Sequence, residues 1–133
     1  MRTMKLLNVF KTFFLVATLF LGFSCHKTAD SAPTLTIAAP LADDQFTSGQ
    51  VITIKGDAAD AVRLHELTIK ITDDKTGAVL YSNTPYCHDL QSYAFNVTWT
   101  AKVTDWTDAT VTITAENHDS QQTIKTVKIK IWL

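Results

Sequence analysis

The sequence is poor in the residues that mark several protein classes. It has 4 glycines and 3 prolines among 133 residues, too few for a collagen-like or low-complexity chain. Its 2 cysteines, Cys25 and Cys87, are too few for a disulfide-stabilised scaffold. Apolar residues make up 46% and charged residues 19% of the chain, proportions that are typical of one folded globular domain.

The sequence also lacks the motifs of several enzyme classes. It contains no glycine-rich phosphate loop, no nucleophile elbow and no HExxH or HxH spacing of histidines. Cys87 and His88 are adjacent, but neighbouring residues of an extended chain point in opposite directions, which disfavours a cysteine–histidine nucleophile pair. We therefore expect a protein that binds rather than catalyses.

Charge is distributed unevenly along the chain. Arg2, Lys5 and Lys11 lie near the N-terminus, whereas all 13 acidic residues lie further on. Without that N-terminal segment, nine cations oppose 13 acids, so the net charge falls from −1 to −4. A surface with this charge and no basic stripe does not attract a phosphate backbone, so we expect no nucleic-acid partner.

The N-terminal segment has the organisation of a secretion signal. Its cations precede or flank an apolar run, residues 13–21, that is too short to span a bilayer comfortably. The run leads into Leu21-Gly22-Phe23-Ser24-Cys25, and a polar stretch follows at once. This ending resembles the lipobox of bacterial lipoproteins, in the variant of bacteroidete lipoproteins in which an aromatic residue precedes Ser-Cys.

The resemblance to a lipobox implies a place in the cell as well as a cleavage site. It implies a signal peptide over residues 1–24, acyl chains such as palmitate on Cys25, and a lipidated tether over residues 25–33. The protein would then be held by its lipid in the bacterial cell envelope, at the periplasmic or surface face of the outer membrane. The alternative is an uncleaved N-terminal membrane anchor in which Cys25 is incidental.

Beyond residue 33, apolar residues recur at every second position, the spacing of strands with one buried face. No segment there repeats apolar residues at helical spacing over three turns. Seven segments are predicted as strands: residues 34–37, 51–55, 64–71, 78–81, 93–99, 110–115 and 126–131. Seven short strands over about a hundred residues predict an all-β, two-sheet sandwich that spans residues 34–133.

The inward-facing residues of these strands form the predicted core. They are Ile52, Ile54, Leu67, Ile69, Ile71, Phe95, Val97, Trp99, Val111, Ile113, Val127 and Ile129. Burying each large apolar side chain contributes about 1.5–3 kcal/mol, so a dozen offset the chain entropy without a disulfide. Trp106, in a turn-rich link, is expected to cap this core.

Three stretches of the sequence indicate a particular kind of sandwich. Pro33–Ile37 stands ahead of Ser48–Gly56, and the Glu116–Asp119 loop precedes the last strand. In these features the chain resembles the immunoglobulin-like and fibronectin-III-like domains of bacterial envelope proteins, and also small bacteroidete lipoproteins of uncharacterised function. The resemblance implies a seven-stranded Ig-like fold without the inter-sheet cysteine pair of antibody domains, and it implies little about activity.

Three histidines lie in or beside links that chain connectivity places at one end of the sandwich. Consecutive antiparallel strands reverse direction, so the links at residues 57–63, 83–91 and 116–122 share an end. These links correspond to the BC, C′E and FG loops of Ig nomenclature. They bring together His65, His88 and His118.

Three imidazoles with carboxylates nearby suit a zinc or copper ion, because neutral nitrogen is a good donor to such metals. The candidate ligands are His65, His88, His118 and Asp119, with Glu66, Cys87 and Asp89 as auxiliary residues. The alternation along the strand disfavours His65 as a ligand, because His65 lies two residues before Leu67 and is expected to point inward with it. The alternative is that His65 packs at the core rim, His88 caps a turn and His118 is solvated.

Oxygen donors at the same end allow a further interpretation, a calcium site. The residues concerned are Asp57, Asp60, Glu116, Asn117 and Asp119. Their spacing matches no calcium-loop motif, so solvated turns are the competing interpretation.

Two functions follow as expectations from the sequence. The first is a non-catalytic recognition module that engages another envelope protein or a glycan through the BC, C′E and FG loops. The second is a metal-binding lipoprotein that uses the three-histidine cluster, with zinc or copper as the bound ion. Metal analysis of the protein separates the two.

Overall fold

The computed structural model describes residues 31–133, so the predicted signal peptide, Cys25 and most of the tether lie outside the described residues. The described chain forms eight strands: β1 (Thr34–Ala39), β2 (Asp44–Thr47), β3 (Val51–Ala59), β4 (Leu64–Asp73), β5 (Val79–Asn83), β6 (Ser92–Thr100), β7 (Thr107–Asn117) and β8 (Gln122–Trp132). Within residues 31–133 there is no helix of a length and apolarity that would let it cross a bilayer.

The strands form two sheets. β1, β3 and β6 make a three-stranded sheet, and the other sheet has the order β2-β8-β7-β4-β5. All pairings are antiparallel except that of β2 with β8, which is parallel. The prediction of an all-β, Ig-like or fibronectin-III-like sandwich is confirmed.

The predicted number of seven strands is wrong, because β2 was expected to be part of a turn-rich link. This strand is four residues long and pairs with β8 from Asp44 opposite Ile129 to Thr47 opposite Trp132. Its sequence, Asp-Gln-Phe-Thr, contains a single apolar residue, so no alternation marks it. Backbone hydrogen bonds to a neighbouring edge form this strand, and such bonds leave no signal in the side chains.

The core lies between the two sheets, as the alternation predicts. Nine of the twelve predicted core residues are buried, and Val97, Trp99 and Val127 are partly buried and pack against them. Leu64, Cys87 and Ile131 are also fully buried, although they were not in the predicted set. Small residues complete the packing of the core between the sheets: Ala58, Ala101, Ala109 and Ala115.

Trp106 does not cap the core, contrary to the expectation from sequence. Its side chain is 50% exposed, and its ring stacks on that of Trp132 with centroids 5.7 Å apart. The next residue, Thr107, pairs with Ile131, so the start of β7 places Trp106 beside the end of β8. The two indoles therefore form an exposed pair at one end of the five-stranded sheet.

The two ends of the sandwich differ in composition. We call the end with the loops at residues 60–63, 84–91 and 118–121 the upper pole. The lower pole is the end with the β4–β5 turn, residues 74–78, and the β6–β7 link, residues 101–106. The histidines lie at the upper pole, and the exposed tryptophan pair lies at the lower pole.

Candidate metal centre

His65 occupies a β-bulge at the start of β4. In the pairing with β7, Leu64 lies opposite Asn117 and Glu66 lies opposite Glu116, which leaves His65 as the extra residue. A bulge reverses the side-chain alternation on its strand. Leu64 and Leu67 are consequently both buried, while His65 is exposed. The expectation that His65 points inward with Leu67 is thus wrong, and the bulge makes this imidazole accessible.

His88 follows a buried residue in the long upper loop between β5 and β6. The side chain of Cys87 is 1% exposed and lies in the core, so it fixes the loop against the sandwich. The backbone N–H of Asp89, a residue with a φ of 66°, donates to the carbonyl of Leu64 at 2.9 Å. His88 Nδ1 lies 3.2 Å from the carbonyl oxygen of His65 and can donate to it, which leaves Nε2 as the donor atom for a metal.

His118 is the first residue after β7, and the side chain of Asn117 holds its turn. Asn117 Oδ1 accepts hydrogen bonds from the backbone N–H groups of Asp119 at 3.1 Å and Gln121 at 3.0 Å. The turn closes with Ser120, whose φ of 59° is left-handed and whose N–H donates to the carbonyl of Asn117 at 3.0 Å. His118 is thereby exposed on the rim of the upper pole.

The three imidazoles meet at the upper pole. Ring centroids are 5.2 Å apart for His65 and His88, 5.0 Å for His65 and His118, and 4.8 Å for His88 and His118. One nitrogen from each ring lies within 4.8 Å of the other two. Zinc–nitrogen bonds of about 2.0–2.1 Å in a tetrahedron need nitrogens roughly 3.3 Å apart, so the rings must close by about 1 Å or more. The side chains of His88 and His118 are 40% and 41% exposed, so they have room to turn.

Asp89 is the carboxylate that contacts two of the rings. Its Oδ1 lies 3.1 Å from His118 Nε2, and its Oδ2 lies 3.6 Å from His88 Nε2. Arg63 Nη1 donates to the same Oδ1 at 3.3 Å. A carboxylate this close to the ring can orient the His118 imidazole toward a metal. The position of Asp89 suits an orienting group or a fourth ligand.

The other residues named from the sequence take different positions. Glu66 Oε1 accepts a hydrogen bond from Thr68 Oγ1 at 2.9 Å on the exposed face of β4. Burial raises the pKa of the Cys87 thiol, and the nearby charge of Glu66 raises it further. The Cys87 side chain lies in the core and is 1% exposed, and its predicted place as an auxiliary ligand stays a prediction. Asp119 directly follows His118 in the turn, and its predicted place as a ligand stays a prediction.

Two of the five oxygen donors considered for calcium, Asp60 and Asn117, are engaged in a hydrogen-bond network of the protein itself. Asp60 Oδ1 accepts from the N–H groups of Val62 at 2.9 Å and Arg63 at 2.8 Å, and its Oδ2 accepts from Asn117 Nδ2 at 3.1 Å. Asp60 and Asn117 are buried. Their oxygens fix the backbone of two upper loops, which is the structural reason for these residue types. The sequence placed the two residues at the same pole, and the structure shows that their side-chain oxygens already accept hydrogen bonds from the protein.

Comparison with known proteins supports the Ig-like fold. Residues 33–115 match the family model of the bacterial Ig domain. This match includes His65 and His88 and ends before His118. No curated protein matches the sequence.

Among solved structures, the chain is similar to the fibronectin(III)-like modules of CbhA from Clostridium thermocellum, with a TM-score of 0.50 and 19% identity. The similarity covers 76% of this chain and 47% of that one, so the chain spans about half the length of that structure. The superoxide reductase (neelaredoxin) of Ignicoccus hospitalis has a TM-score of 0.48 at 10% identity, over 83% of this chain and 88% of that one. The similarity to the fibronectin(III)-like modules concerns the fold alone.

Proposed function

The chain belongs to the bacterial Ig domain family, and from this premise we propose that it is a non-catalytic binding module of the cell envelope whose upper pole holds a divalent transition-metal ion. Ig-like sandwiches commonly bind their ligands with the loops at one end of the domain rather than in a buried active site. In this chain the loops of one end carry three imidazoles. Zinc and copper are the ions that such a set of donors favours.

The observation that carries the proposal is the convergence of His65, His88 and His118, with nitrogens within 4.8 Å of one another. The three residues are far apart in sequence and come from a bulge, a long loop and a tight turn. Each of these local structures exposes a histidine side chain at the upper pole. Regular strand geometry would not place the side chain at that position. A site with three protein ligands keeps one position open for water, Asp89 or an external ligand.

Calorimetric titration of the full-length chain with Zn²⁺ and with Cu²⁺ tests the proposal. We expect one ion per chain, with Cu²⁺ bound more tightly than Zn²⁺ in accordance with the general order of divalent affinities. Loss of a residue that only hydrogen-bonds to a metal ligand typically lowers metal affinity 10–100-fold. Loss of a ligand itself should cost more, so His65→Ala, His88→Ala and His118→Ala should each weaken binding by at least about a hundredfold.

Asp57→Ala is the matched control, because Asp57 is exposed on β3 near the same pole and is not one of the three imidazoles. Binding should be unchanged in this variant. The proposal is wrong if the wild-type chain binds less than one ion, or if the three histidine variants bind as tightly as the wild type. His26, the fourth histidine of the chain, is checked with His26→Ala, which should also leave binding unchanged.

The lipoprotein signal supports a second element of the proposal, attachment to the outer membrane through a lipid on Cys25. Globomycin, an inhibitor of lipoprotein signal peptidase, should cause the unprocessed form to accumulate. Cys25→Ser should abolish the incorporation of labelled palmitate and release the protein from the membrane fraction. Normal palmitate labelling of Cys25→Ser would contradict the assignment, and Ser24→Ala provides the matched control.

Lipidation at Cys25 would set the orientation of the domain. The carbonyl of Ser31 accepts a hydrogen bond from Asn117 Nδ2 at 3.3 Å, so the chain enters the sandwich at the upper pole. Ser31 lies six positions after Cys25, so the two are joined by six residue steps. They reach about 20 Å at most, since an extended chain spans about 3.3–3.6 Å per residue. The histidine cluster would thus face the membrane surface, and the lower pole would face away from it.

A second candidate function is recognition of an envelope protein or a glycan through the same three loops. The specific observation in its favour is Tyr86, whose side chain is 80% exposed in the loop that carries His88. Exposed tyrosine is typical of binding surfaces. A chain that binds no metal but shows a Tyr86-dependent interaction with an outer-membrane extract would favour this candidate.

A further inference from the structure

The lower pole carries an exposed aromatic surface that the upper-pole site does not use. Trp106 is 50% and Trp132 is 43% exposed, and their rings stack with an interplanar angle of 29°. Stacking on Trp132 holds the Trp106 ring in one orientation. A half-exposed indole held in this way is a flat apolar platform at the surface of the protein.

A cleft of about 570 Å³ lies beside this platform. It runs between the β4–β5 turn and the β6–β7 link, and Trp106 is part of its wall. Its volume is within the range of about 300–1,000 Å³ that is typical of ligand sites. Because the cleft is open rather than enclosed, it suits a segment of a longer molecule better than an isolated small one.

The polar groups of the cleft are hydroxyls, carboxylates and amines. Thr104, Asp105 and Asp108 lie within two positions of Trp106 and are exposed. Lys75 and Lys102 line the same cleft. Four aspartates and two lysines line the cleft altogether, so its formal charge is negative. This charge disfavours phosphate, nucleic acid and acidic polysaccharide.

We propose that the lower-pole cleft binds a neutral oligosaccharide, with one sugar ring stacked on Trp106. A sugar ring with equatorial hydroxyls has an apolar face of C–H groups that matches an indole, and its edge carries hydroxyls that donate to carboxylates and accept from amines. The cleft offers both kinds of partner side by side. A flexible apolar peptide would contact the indole but would leave the surrounding hydroxyl and carboxylate groups without hydrogen-bond partners.

This site is independent of the metal site. The chain enters the domain at the upper pole, so the lower pole is the end furthest from that entry. β7 connects the two poles over 11 residues, about 35 Å at roughly 3.3 Å per residue. A polymer can therefore approach the cleft whether or not a metal is bound.

Calorimetric titration of the full-length chain in detergent tests the proposal, with cellotetraose, xylotetraose, mannotetraose and chitotetraose as neutral probes and tetragalacturonate as the acidic one. At least one neutral probe should bind, and tetragalacturonate should bind more weakly than that probe. Trp106→Ala should reduce the affinity by about tenfold or more, and Trp106→Phe, which retains a smaller aromatic face, should reduce it less.

Ile124→Ala is the matched control, since it removes an exposed apolar side chain of β8 that does not line the cleft. It should leave sugar binding unchanged, and all variants should unfold at the wild-type temperature within a few degrees. The proposal is overturned if none of the neutral probes binds at up to roughly 10 mM, where even weak specific binding is detected. It is also overturned if tetragalacturonate binds as tightly, or if Ile124→Ala has the effect expected of Trp106→Ala.

Discussion

Asp60 and Asn117 form a buried hydrogen bond, Nδ2 to Oδ2 at 3.1 Å, that joins two loops of the upper pole. The two side chains are 7% and 1% exposed. Each of them also accepts hydrogen bonds from backbone N–H groups of its own loop. These two side chains thus accept hydrogen bonds from loop N–H groups beyond the ends of the strands, where no neighbouring strand can accept them. Since His118 follows Asn117 directly, the same bond positions one of the three imidazoles.

Removal of this bond should destabilise the domain. Asn117→Ala leaves a buried carboxylate oxygen of Asp60 and two backbone N–H groups without their partner. A single unsatisfied buried group costs about 1–3 kcal/mol, so we expect the free energy of unfolding to fall by about 3 kcal/mol. Urea denaturation followed by fluorescence measures it.

The control for Asn117→Ala is Asn96→Ala, which changes an exposed asparagine in the middle of β6. Its effect should be within about 0.5 kcal/mol. Zinc affinity should also fall by about tenfold in folded Asn117→Ala, because the turn that positions His118 is no longer held. Equal stability of the two variants would show that the buried bond contributes nothing.

Alternation of apolar residues predicts most of this fold, and reversal of the chain predicts that the three histidine loops share one pole. The bulge at His65 is not predictable in this way, because a bulge depends on the register between β4 and β7 rather than on either strand alone. The contacts of Asp89 depend on its left-handed backbone conformation, which is uncommon outside glycine and which the alternation of apolar residues does not indicate. Trp106 was misplaced because a large aromatic residue in a link was assumed to be buried.

Cys87 should be unreactive in the folded protein. Its side chain is 1% exposed, so a maleimide reaches the thiol only when the domain opens. In a Cys25→Ser chain, where Cys87 is the remaining cysteine, labelling should be slow without denaturant and rapid in urea. Mass spectrometry after timed labelling measures the two rates.

Ser82→Cys, placed in a chain that lacks the two native cysteines, is the exposed-thiol control on β5 and should react rapidly without denaturant. Cys87→Ala should cost about 1–2 kcal/mol of stability, and it should leave zinc affinity within about twofold of wild type. Rapid native labelling of Cys87, or a large loss of zinc binding in Cys87→Ala, would contradict its place in the core.

Stability should fall on the acid side because of two carboxylates at the lower pole. Burial is the largest influence on Asp74 and raises its pKa, but hydrogen bonds from Lys128 at 2.6 Å and Thr110 at 2.5 Å lower the pKa below 3.8 overall. The N–H groups of Thr76 and Lys75 likewise lower the pKa of Asp73. A pKa lowered by folding stabilises the protein above the unfolded value and loses that effect as the pH falls through the folded value.

The expected result is a wild-type free energy of unfolding that is constant near neutral pH and decreases below about pH 4. Asp74→Asn should show a smaller decrease over that range and, at neutral pH, a loss of at most about 1 kcal/mol, because the ion pair is at the surface. Urea denaturation at a series of pH values tests this. Asn96→Ala, which changes an exposed residue without a titratable group on the other sheet, should keep the wild-type pH dependence.

Among the three glycines between residues 31 and 133, Gly56 should be the one that least tolerates a side chain. It is buried in β3, opposite Ile37 on one side and Phe95 on the other. A Cβ atom there would collide with the carbonyl oxygen of Thr36 and lie 2.6 Å from Phe95 Cζ. The backbone of β1 and the Phe95 ring cannot both move away without opening the three-stranded sheet. We expect Gly56→Ala to cost about 3 kcal/mol or more, the upper end of the range for overpacking.

Gly77→Ala separates this steric effect from the general effect of replacing glycine. A Cβ at Gly77 meets no atom within 4 Å, but the φ of 73° is left-handed and strained for alanine. That strain costs about 1–2 kcal/mol. The free energy of unfolding measured by urea denaturation should therefore be lowest for Gly56→Ala, higher for Gly77→Ala and highest for the wild type. If Gly56→Ala were the more stable of the two variants, the close approach of β1 to β3 at Thr36 would be wrong, and with it the packing of the three-stranded sheet.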